Sequence, residues 1–483
     1  MRFSTAALGA MTVLSGLAAA IDIIEIQDRH FVNSKTGKPF FLKGVDYQPG
    51  GSADVEKGGD PLSNVESCTR DIFLFQKLGI NTIRVYSVDP TADHDECMTL
   101  LAAAGIYLVL DVNSPLEHQH LNNQEPWTTY TPMYLEHVFG VIEVFSGYDN
   151  MLAFLAGNEV IFDSGSAEAS PNYVKAVVRD MKAYITNHVH RIIPVGYSNA
   201  DDLKFRTSLA HYLECGDTGY IDFFGVNSYQ WCGDNTFKGS GYDKLVEDYS
   251  DYSLPVFFTE YGCNEVRPRV WQEVGALYSE DMTGVFSGGL VYEFSEEPNK
   301  YGIVEIDGDT ANIMGEYDTL VTAFDKVPKD VSVPSNVNIV DRPVDCPAES
   351  SFKNINGNLT LPFTLGQEYI DDGVDKKTFV KGKFVSLDSL TLDVKLDIND
   401  SKGKAITDKT IEATSSVTQS AIAEGGHGTN TGGGVGTGGV KSSSTSSSSG
   451  SSETGLSNSA SSVSRGVVGW SVAAVMVGFA AFL

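Results

Sequence analysis

Positive charge is scarce in this chain. Its 483 residues carry 34 Lys and Arg against 63 Asp and Glu, a net charge of −29. Nucleic acid, acidic membrane surfaces and polyanionic substrates are gripped through cationic contacts, which such a balance does not supply. A neutral ligand fits better. Histidine is sparse as well, and none of the nine falls in an HExxH or paired His/Cys pattern, so no metal site is indicated. No GxGxxG follows the first strand-like segment, which disfavours a nucleotide fold and implies no cofactor. Cysteine is limited to Cys68, Cys97, Cys215, Cys232, Cys263 and Cys346, with no CxxC among them. Against these shortages stand an apolar fraction of 42% and an aromatic fraction of 10%, enough for a large core.

The two ends of the chain read as addresses. Met1-Arg2, an apolar stretch from Ala6 to Leu17 and Ala18-Ala19-Ala20 form a secretory signal over residues 1–20, cleaved near Ala20. Residues 466–483 are uncharged, and small residues lie upstream across a short polar spacer. That layout marks a glycolipid-anchor (GPI) signal: residues 459–483 are the removed propeptide and Asn458 the attachment site. A retained single-pass helix is the alternative, but the apolar stretch is marginal in length and no stop-transfer charge follows it. The expected location is therefore secreted, anchored at the outer face of the plasma membrane, with the cell wall as a further destination. In an oxidising compartment six cysteines allow up to three disulfides, in any of about 15 pairings. Asn358-Leu-Thr and Asn399-Asp-Ser are N-glycosylation sequons.

Between the ends, near-continuous apolar runs read as strands buried on both faces. They are Phe41–Gln48, Thr82–Val88, Tyr107–Asn113, Met151–Val160, Ile192–Ser198, Phe223–Trp231, Pro255–Gly262 and Gly288–Ser295. Helical patterns alternate with them. Ser63–Leu78 stops at Gly79, Asp93–Ala104 stops at Gly105, and Pro171–His188 is amphipathic. Eight such strands over about 300 residues predict an α/β (β/α)8 TIM barrel at 21–330, in preference to an open doubly wound sheet. Residues 331–423 read as an extended connection with a possible small β unit, a short β-rich extension whose alternation runs FVKGKFVSLDSLTLDVKLDI. Residues 424–458 form a Gly/Ser/Thr-rich stalk, too poor in apolar residues to fold and expected to be disordered.

A barrel places its chemistry at the C-terminal ends of its strands. Here those ends carry Gln48, Arg84, Tyr86, Asp111, Asn158, Glu159, Tyr229, Glu260 and Tyr292. Two carboxylates stand out: Glu159 closes the fourth strand after Asn158, and Glu260 closes the seventh. Cleaving a glycosidic bond with retention needs one protonated carboxyl as acid and one ionised carboxyl as nucleophile, about 5–5.5 Å apart. An Asn beside the acid can bond the sugar 2-hydroxyl, which makes Glu159 the acid/base and Glu260 the nucleophile, steadied by Tyr229 and Arg84. Tyr47, Tyr86, Trp127, Tyr229, Trp231, Tyr261 and Tyr292 lie at or just after strand ends and, as a set, suggest a cleft where rings stack on sugars.

The segments AGNEV (156–160), YVKAVVRDMKAYI (173–185), IPVGYS (193–198), DFFGVNSYQWCG (222–233), PVFFTEYGCNEVRPR (255–269) and GGLVYEFSEE (288–297) resemble the fungal GPI-anchored β-1,3-glucanosyltransferases of glycoside hydrolase family 72. The resemblance covers most of 21–330. It implies a retaining transglycosylase that cuts inside β-1,3-glucan and passes the new reducing end to the non-reducing end of an acceptor glucan. It also implies that Gln48, Tyr86, Asp111, Asn158, Tyr229 and Tyr292 line the glucan cleft, and that the disulfides are Cys68–Cys97, Cys215–Cys346 and Cys232–Cys263. The chain departs from the family in three places. Only Cys346 lies beyond the barrel, so the cysteine-rich glucan-binding module is absent; Phe162 replaces a usually polar residue; and HQHLNNQEPW (118–127) is atypical. An endo-β-1,3-glucanase and a non-catalytic wall-binding protein remain alternatives.

Overall fold

The computed structural model describes residues 21–200, 202, 204–335, 344–348 and 352–417. The signal peptide, the stalk and Asn458 lie outside the described residues. Eight parallel strands close into a barrel: β1 (Leu42–Asp46), β2 (Thr82–Val85), β3 (Tyr107–Asp111), β4 (Met151–Asn158), β5 (Val195–Ala200), β6 (Phe223–Ser228), β7 (Val256–Tyr261) and β8 (Phe286–Val291). They pair in sequence order, and β8 returns to β1. Every strand falls within or overlaps one of the eight apolar runs. The strands are followed in turn by α1 (Val65–Leu78), α2 (Asp95–Ala103), α3 (Pro132–Phe145), α4 (Pro171–His188), α5 (Arg206–Glu214), α6 (Tyr242–Asp248), α7 (Gln272–Leu277) and α8 (Gly315–Phe324). The end of α1 shows why the helix stops there. Gly79 adopts φ 68°, a left-handed cap that an L side chain resists. At its start the Asn64 side chain accepts from the Glu66 and Ser67 amides, a cap of about 1 kcal/mol.

Alternation along the strands separates two cores. Ile83, Val85, Leu108, Leu110, Phe224, Val226 and Phe258 face the helices. Leu42, Val109, Leu155, Phe223, Phe257 and Leu290 fill the barrel itself. An antiparallel hairpin, Ile24–Gln27 with His30–Asn33, supplies Phe31, whose ring lies 5.9 Å from both Phe223 and Phe257. Phe223 opens β6 and Phe257 is the second residue of β7, so the hairpin plugs the N-terminal end. Access is left to the opposite rim.

The extension departs from its alternating pattern. Among its described residues only Ile398–Asn399 forms a strand, joining the hairpin Val304–Asp307/Thr310–Ile313. Elsewhere in the described extension some amides bond to the outer helices: Gly382 donates to the Val144 carbonyl, Val385 to Thr99 Oγ1 and Thr414 to the Ala103 carbonyl. Others bond within it, Val394 to the Lys409 carbonyl and Ile411 to the Leu392 carbonyl. Contacts with helices, and isolated bridges of Asp393 with Thr410 and Asn399 with Ala405, stand in place of a full sheet. Disulfides join Cys68 to Cys97, Cys215 to Cys346 and Cys232 to Cys263, the same pairs the resemblance implies. Asn358 is exposed, whereas the Asn399 side-chain amide is half-buried and donates to Asn312 Oδ1 at 2.9 Å.

Candidate active site

Above the apolar filling of the barrel lies a polar layer. Asp46, Arg84, Asp111, Ser198, Asn227 and Thr259 point inward from the C-terminal halves of β1, β2, β3, β5, β6 and β7, and each is at most 4% exposed. Period-2 alternation alone would not aim Glu260 into this layer, since Phe258 and Tyr261 both face the helices. A register shift does so: β7 spends two steps, Phe258 to Glu260, where β6 spends one, Val226 to Asn227. A similar shift precedes Glu159, with three steps on β4 against two on β5. Each carboxylate thus follows an extra residue, the usual device for re-aiming a side chain at a barrel rim. Glu159 itself adopts φ 49°, a left-handed conformation costing a non-glycine residue about 1–3 kcal/mol. Its amide donates to the Ser198 carbonyl at 2.9 Å, which holds the turn.

Glu260 is 7% exposed and receives three donors. Arg84 Nη1 lies 3.1 Å and the Tyr86 hydroxyl 2.8 Å from Oε1, and the Tyr229 hydroxyl lies 2.7 Å from Oε2. Such a donor set is matched to an acceptor-only carboxylate. Arg84 also clasps Asp111 with Nε and Nη2, at 2.8 and 3.2 Å, and lies over the Tyr86 ring. Glu159 has different surroundings. Among the described residues its one side-chain bond is from Asn227 Nδ2 to Oε1 at 2.8 Å. Burial, reinforced by the negative charge of Glu260, pushes its pKa up to about 7. One site therefore holds a carboxyl that keeps its proton near neutrality beside one wrapped in donors, the division of labour a retaining glycosidase requires.

The remaining predicted residues divide by role. Asn158 is half-buried at the rim, its Oδ1 accepting from Asn227 at 3.1 Å. Tyr292 stands edge-on to Tyr86, Tyr229 and Tyr301, an aromatic wall beside Glu260. Gln48 is buried, and its oxygen accepts from the Tyr86 and Ser87 amides, so it braces the segment that carries Tyr86. A cleft of 280 Å³ opens beside Asp111 and Asn158, bordered by Tyr86, Asn113, His120 and Val160. Of the seven aromatics predicted for the cleft, three turn away. Tyr47, Trp231 and Tyr261 are buried against the helices, Tyr47 with its hydroxyl on Asp71 and in phase with outward Val45, Tyr261 turned outward by the register shift on β7. Trp127 is 57% exposed on the segment after β3.

Sequence reasoning missed four groups. Asn227 joins both Asn158 and Glu159. Asp46 is fully buried with neither oxygen bonded among the described residues, and burial drives its pKa well up despite Arg84. Glu293, bonded to Asn299, is raised to about 8 by burial. Tyr301 completes the aromatic wall. The polar alternation of β1 and β6 was a usable signal for Asp46 and Asn227. Glu293 and Tyr301 had none. Among the described residues, the one group of potential metal ligands is Cys232, Cys263 and Glu265, and its two sulfurs are joined in a disulfide.

Comparisons with known proteins agree with this geometry. The 1,3-beta-glucanosyltransferase GAS4 of Saccharomyces cerevisiae is 51% identical over 392 residues, 80% of this chain and 82% of its own. The 1,3-beta-glucanosyltransferase gel2 of Aspergillus fumigatus is 46% identical over 409 residues, 82% of this chain and 84% of its own. The structure of Saccharomyces cerevisiae Gas2p in complex with laminaritriose and laminaritetraose superposes with a TM-score of 0.64 at 39% identity, over 71% of this chain and 77% of that one. With the glucanosyltransferase family model matching residues 13–328, the chain belongs to the glucanosyltransferases of glycoside hydrolase family 72.

Proposed function

We propose that the chain is a retaining β-1,3-glucan transglycosylase that elongates cell-wall glucan. The observation that carries this reading is the pairing of Glu159, whose pKa is pushed up to about 7, with Glu260, held by Arg84, Tyr86 and Tyr229. Glu159 gives its proton to the glycosidic oxygen as the Glu260 carboxylate attacks the anomeric carbon. The aglycone chain leaves with that proton, and a glycosyl ester remains on Glu260. Glu159, now ionised, takes the proton of the 3-hydroxyl at the non-reducing end of an acceptor glucan. That oxygen attacks the ester-bearing carbon and frees Glu260. The Asn158 amide bonds the sugar 2-hydroxyl, a contact that tightens as positive charge develops on the ring.

Transfer beats hydrolysis only if a bound acceptor is oriented better than the far more concentrated water. The wall of Tyr229, Tyr292 and Tyr301, with Tyr86, offers ring faces and hydroxyls for both glucan chains. The names borne by the relatives support transfer. Secretion through residues 1–20 and anchorage at Asn458 place the enzyme at the outer face of the plasma membrane, next to its substrate. The test is incubation of the purified protein with reduced laminari-oligosaccharides. Products longer than the substrate are expected. Exclusively shorter ones make the protein an endo-β-1,3-glucanase, and an unchanged substrate makes it a wall-binding protein. Glu159→Gln and Glu260→Gln should each abolish elongation.

A further inference from the structure

The Asn227 side chain makes no hydrogen bond to Glu260, its register neighbour on β7, among the described residues and does not border the open cleft, yet it joins Asn158 at the end of β4 to Glu159 just beyond it. It is 1% exposed on β6. Its Oδ1 accepts from Thr259 Oγ1 at 2.8 Å and from Ser198 Oγ at 3.0 Å, and these two hydroxyls are 2.9 Å from each other. The strands on either side thereby grip the carbonyl end of the amide. The nitrogen is left facing β4, where its two protons go to Glu159 Oε1 at 2.8 Å and Asn158 Oδ1 at 3.1 Å. The reverse orientation would set a carbonyl oxygen against Glu159 in the half-reaction where that carboxyl is ionised, an acceptor–acceptor contact in a buried place.

Two consequences follow from this orientation. First, Glu159 Oε1 already holds an N–H, so the proton that moves in each half-reaction resides on Oε2. The acid that protonates the leaving oxygen and the base that later strips the acceptor hydroxyl are then the same atom in the same place. Second, the Asn158 carbonyl is turned inward, so its amide nitrogen faces the sugar as a donor. An isolated Asn side chain has no such preference, because its two ends are nearly equal in size.

We propose that Asn227 is a positioning residue for the transfer reaction: it selects Glu159 Oε2 as the proton-carrying oxygen and turns the Asn158 amide toward the 2-hydroxyl, with Ser198 and Thr259 fixing its own orientation. This rests on the acid/base reading of Glu159. It has a titration signature. The charged and titratable groups around Glu159 are Glu260 on β7, Arg84 on β2 and Tyr197 on β5. Burial and Glu260 raise the Glu159 pKa, while Asn227 and Arg84 lower it. Removing the Asn227 N–H therefore favours the protonated form and moves the alkaline limb of kcat/KM upward.

The test compares Asn227→Ala and Asn227→Asp with the unsubstituted enzyme in oligosaccharide transfer across pH, with thermal melts confirming that each is folded. Alanine should lower kcat by roughly tenfold or more and raise the alkaline limb by about one unit. Aspartate is nearly isosteric and keeps the Ser198 and Thr259 donors, but it presents a carboxylate to Glu159, so its limb should lie above that of alanine. A residue needed only for packing would not order the limbs in this way. Unchanged activity and limb in a folded variant overturn the proposal, as does lost activity with an unmoved limb. Should alanine fail to fold, the aspartate variant alone decides by the direction of its limb. Glu159→Gln is run alongside. If it retains transfer, the acid/base reading itself fails; if it is inactive while the Asn227 limbs stay put, only the positioning role fails.

Discussion

Replacing Arg84 by methionine keeps most of the stem and removes the guanidinium, which makes its cost readable. Arg84 is fully buried, and Asp111, 4% exposed, has no other side-chain hydrogen-bond partner among the described residues. Losing one member of a buried pair strands the other charge, at about 3–5 kcal/mol. Asp111 can reduce that cost by taking a proton. Burial already raises its pKa, with Arg84 opposing the rise, and without Arg84 it rises further. A carboxyl whose folded-state pKa lies above its unfolded value leaves the native state holding more protons, so stability falls as pH rises through that interval. Asp46, whose pKa is already driven well up by burial, acts in the same direction once its neighbouring cation is gone. Urea unfolding of Arg84→Met should therefore show a larger deficit at pH 7 than at pH 5. The double variant Arg84→Met/Asp111→Leu removes both charges and should recover most of the stability at pH 7, since an apolar pair of similar size replaces buried ion pairs at little cost. Transfer activity should not recover, because Glu260 lacks its Arg84 contact in both variants; a loss of about a hundredfold is expected. A deficit below about 1 kcal/mol for the single variant, or a double variant less stable than the single, would refute the claim that Arg84 and Asp111 form one electrostatic unit.

Three further outcomes can be checked independently. The pH profile of kcat/KM for transfer should be a bell whose alkaline limb falls near the Glu159 pKa of about 7, because loss of that proton removes the general acid; activity that stays flat to pH 9 would contradict the assignment. Cys215→Ser/Cys346→Ser should lower the unfolding free energy by about 2–5 kcal/mol, because the bond closes a loop with a sequence separation of 131; paired urea curves measure it. Peptide mapping of the secreted protein should find a glycan at exposed Asn358 and none at Asn399, whose side-chain nitrogen is spent on Asn312.

The barrel was legible because its strands are buried on both faces and so appear as continuous apolar runs, and because Gly79 and Gly105 mark helix ends with left-handed backbone. The two carboxylates were legible because each ends such a run. What alternation could not convey is where it breaks. Counting by twos from Phe258 sends Glu260 outward, and only the register shift against β6 turns it to the mouth. The same counting leaves Tyr261 in a list of cleft aromatics, where it does not belong, whereas it sends Tyr47, two steps from outward Val45, to the helices. Asn227 was hidden for a different reason. An inward Asn in a barrel strand is ordinary; its role comes from Ser198 on one side and Thr259 on the other, which are remote in sequence and adjacent only once the strands are in register. The extension failed for the converse reason: its alternation is real, but the partner that buries it is a set of helices whose free acceptors, the Ala103 and Val144 carbonyls among them, no local pattern announces. Chemistry that resides in one residue can thus be read from the chain. Chemistry that resides in the orientation of an amide requires its neighbours, and the role proposed for Asn227 rests on that orientation.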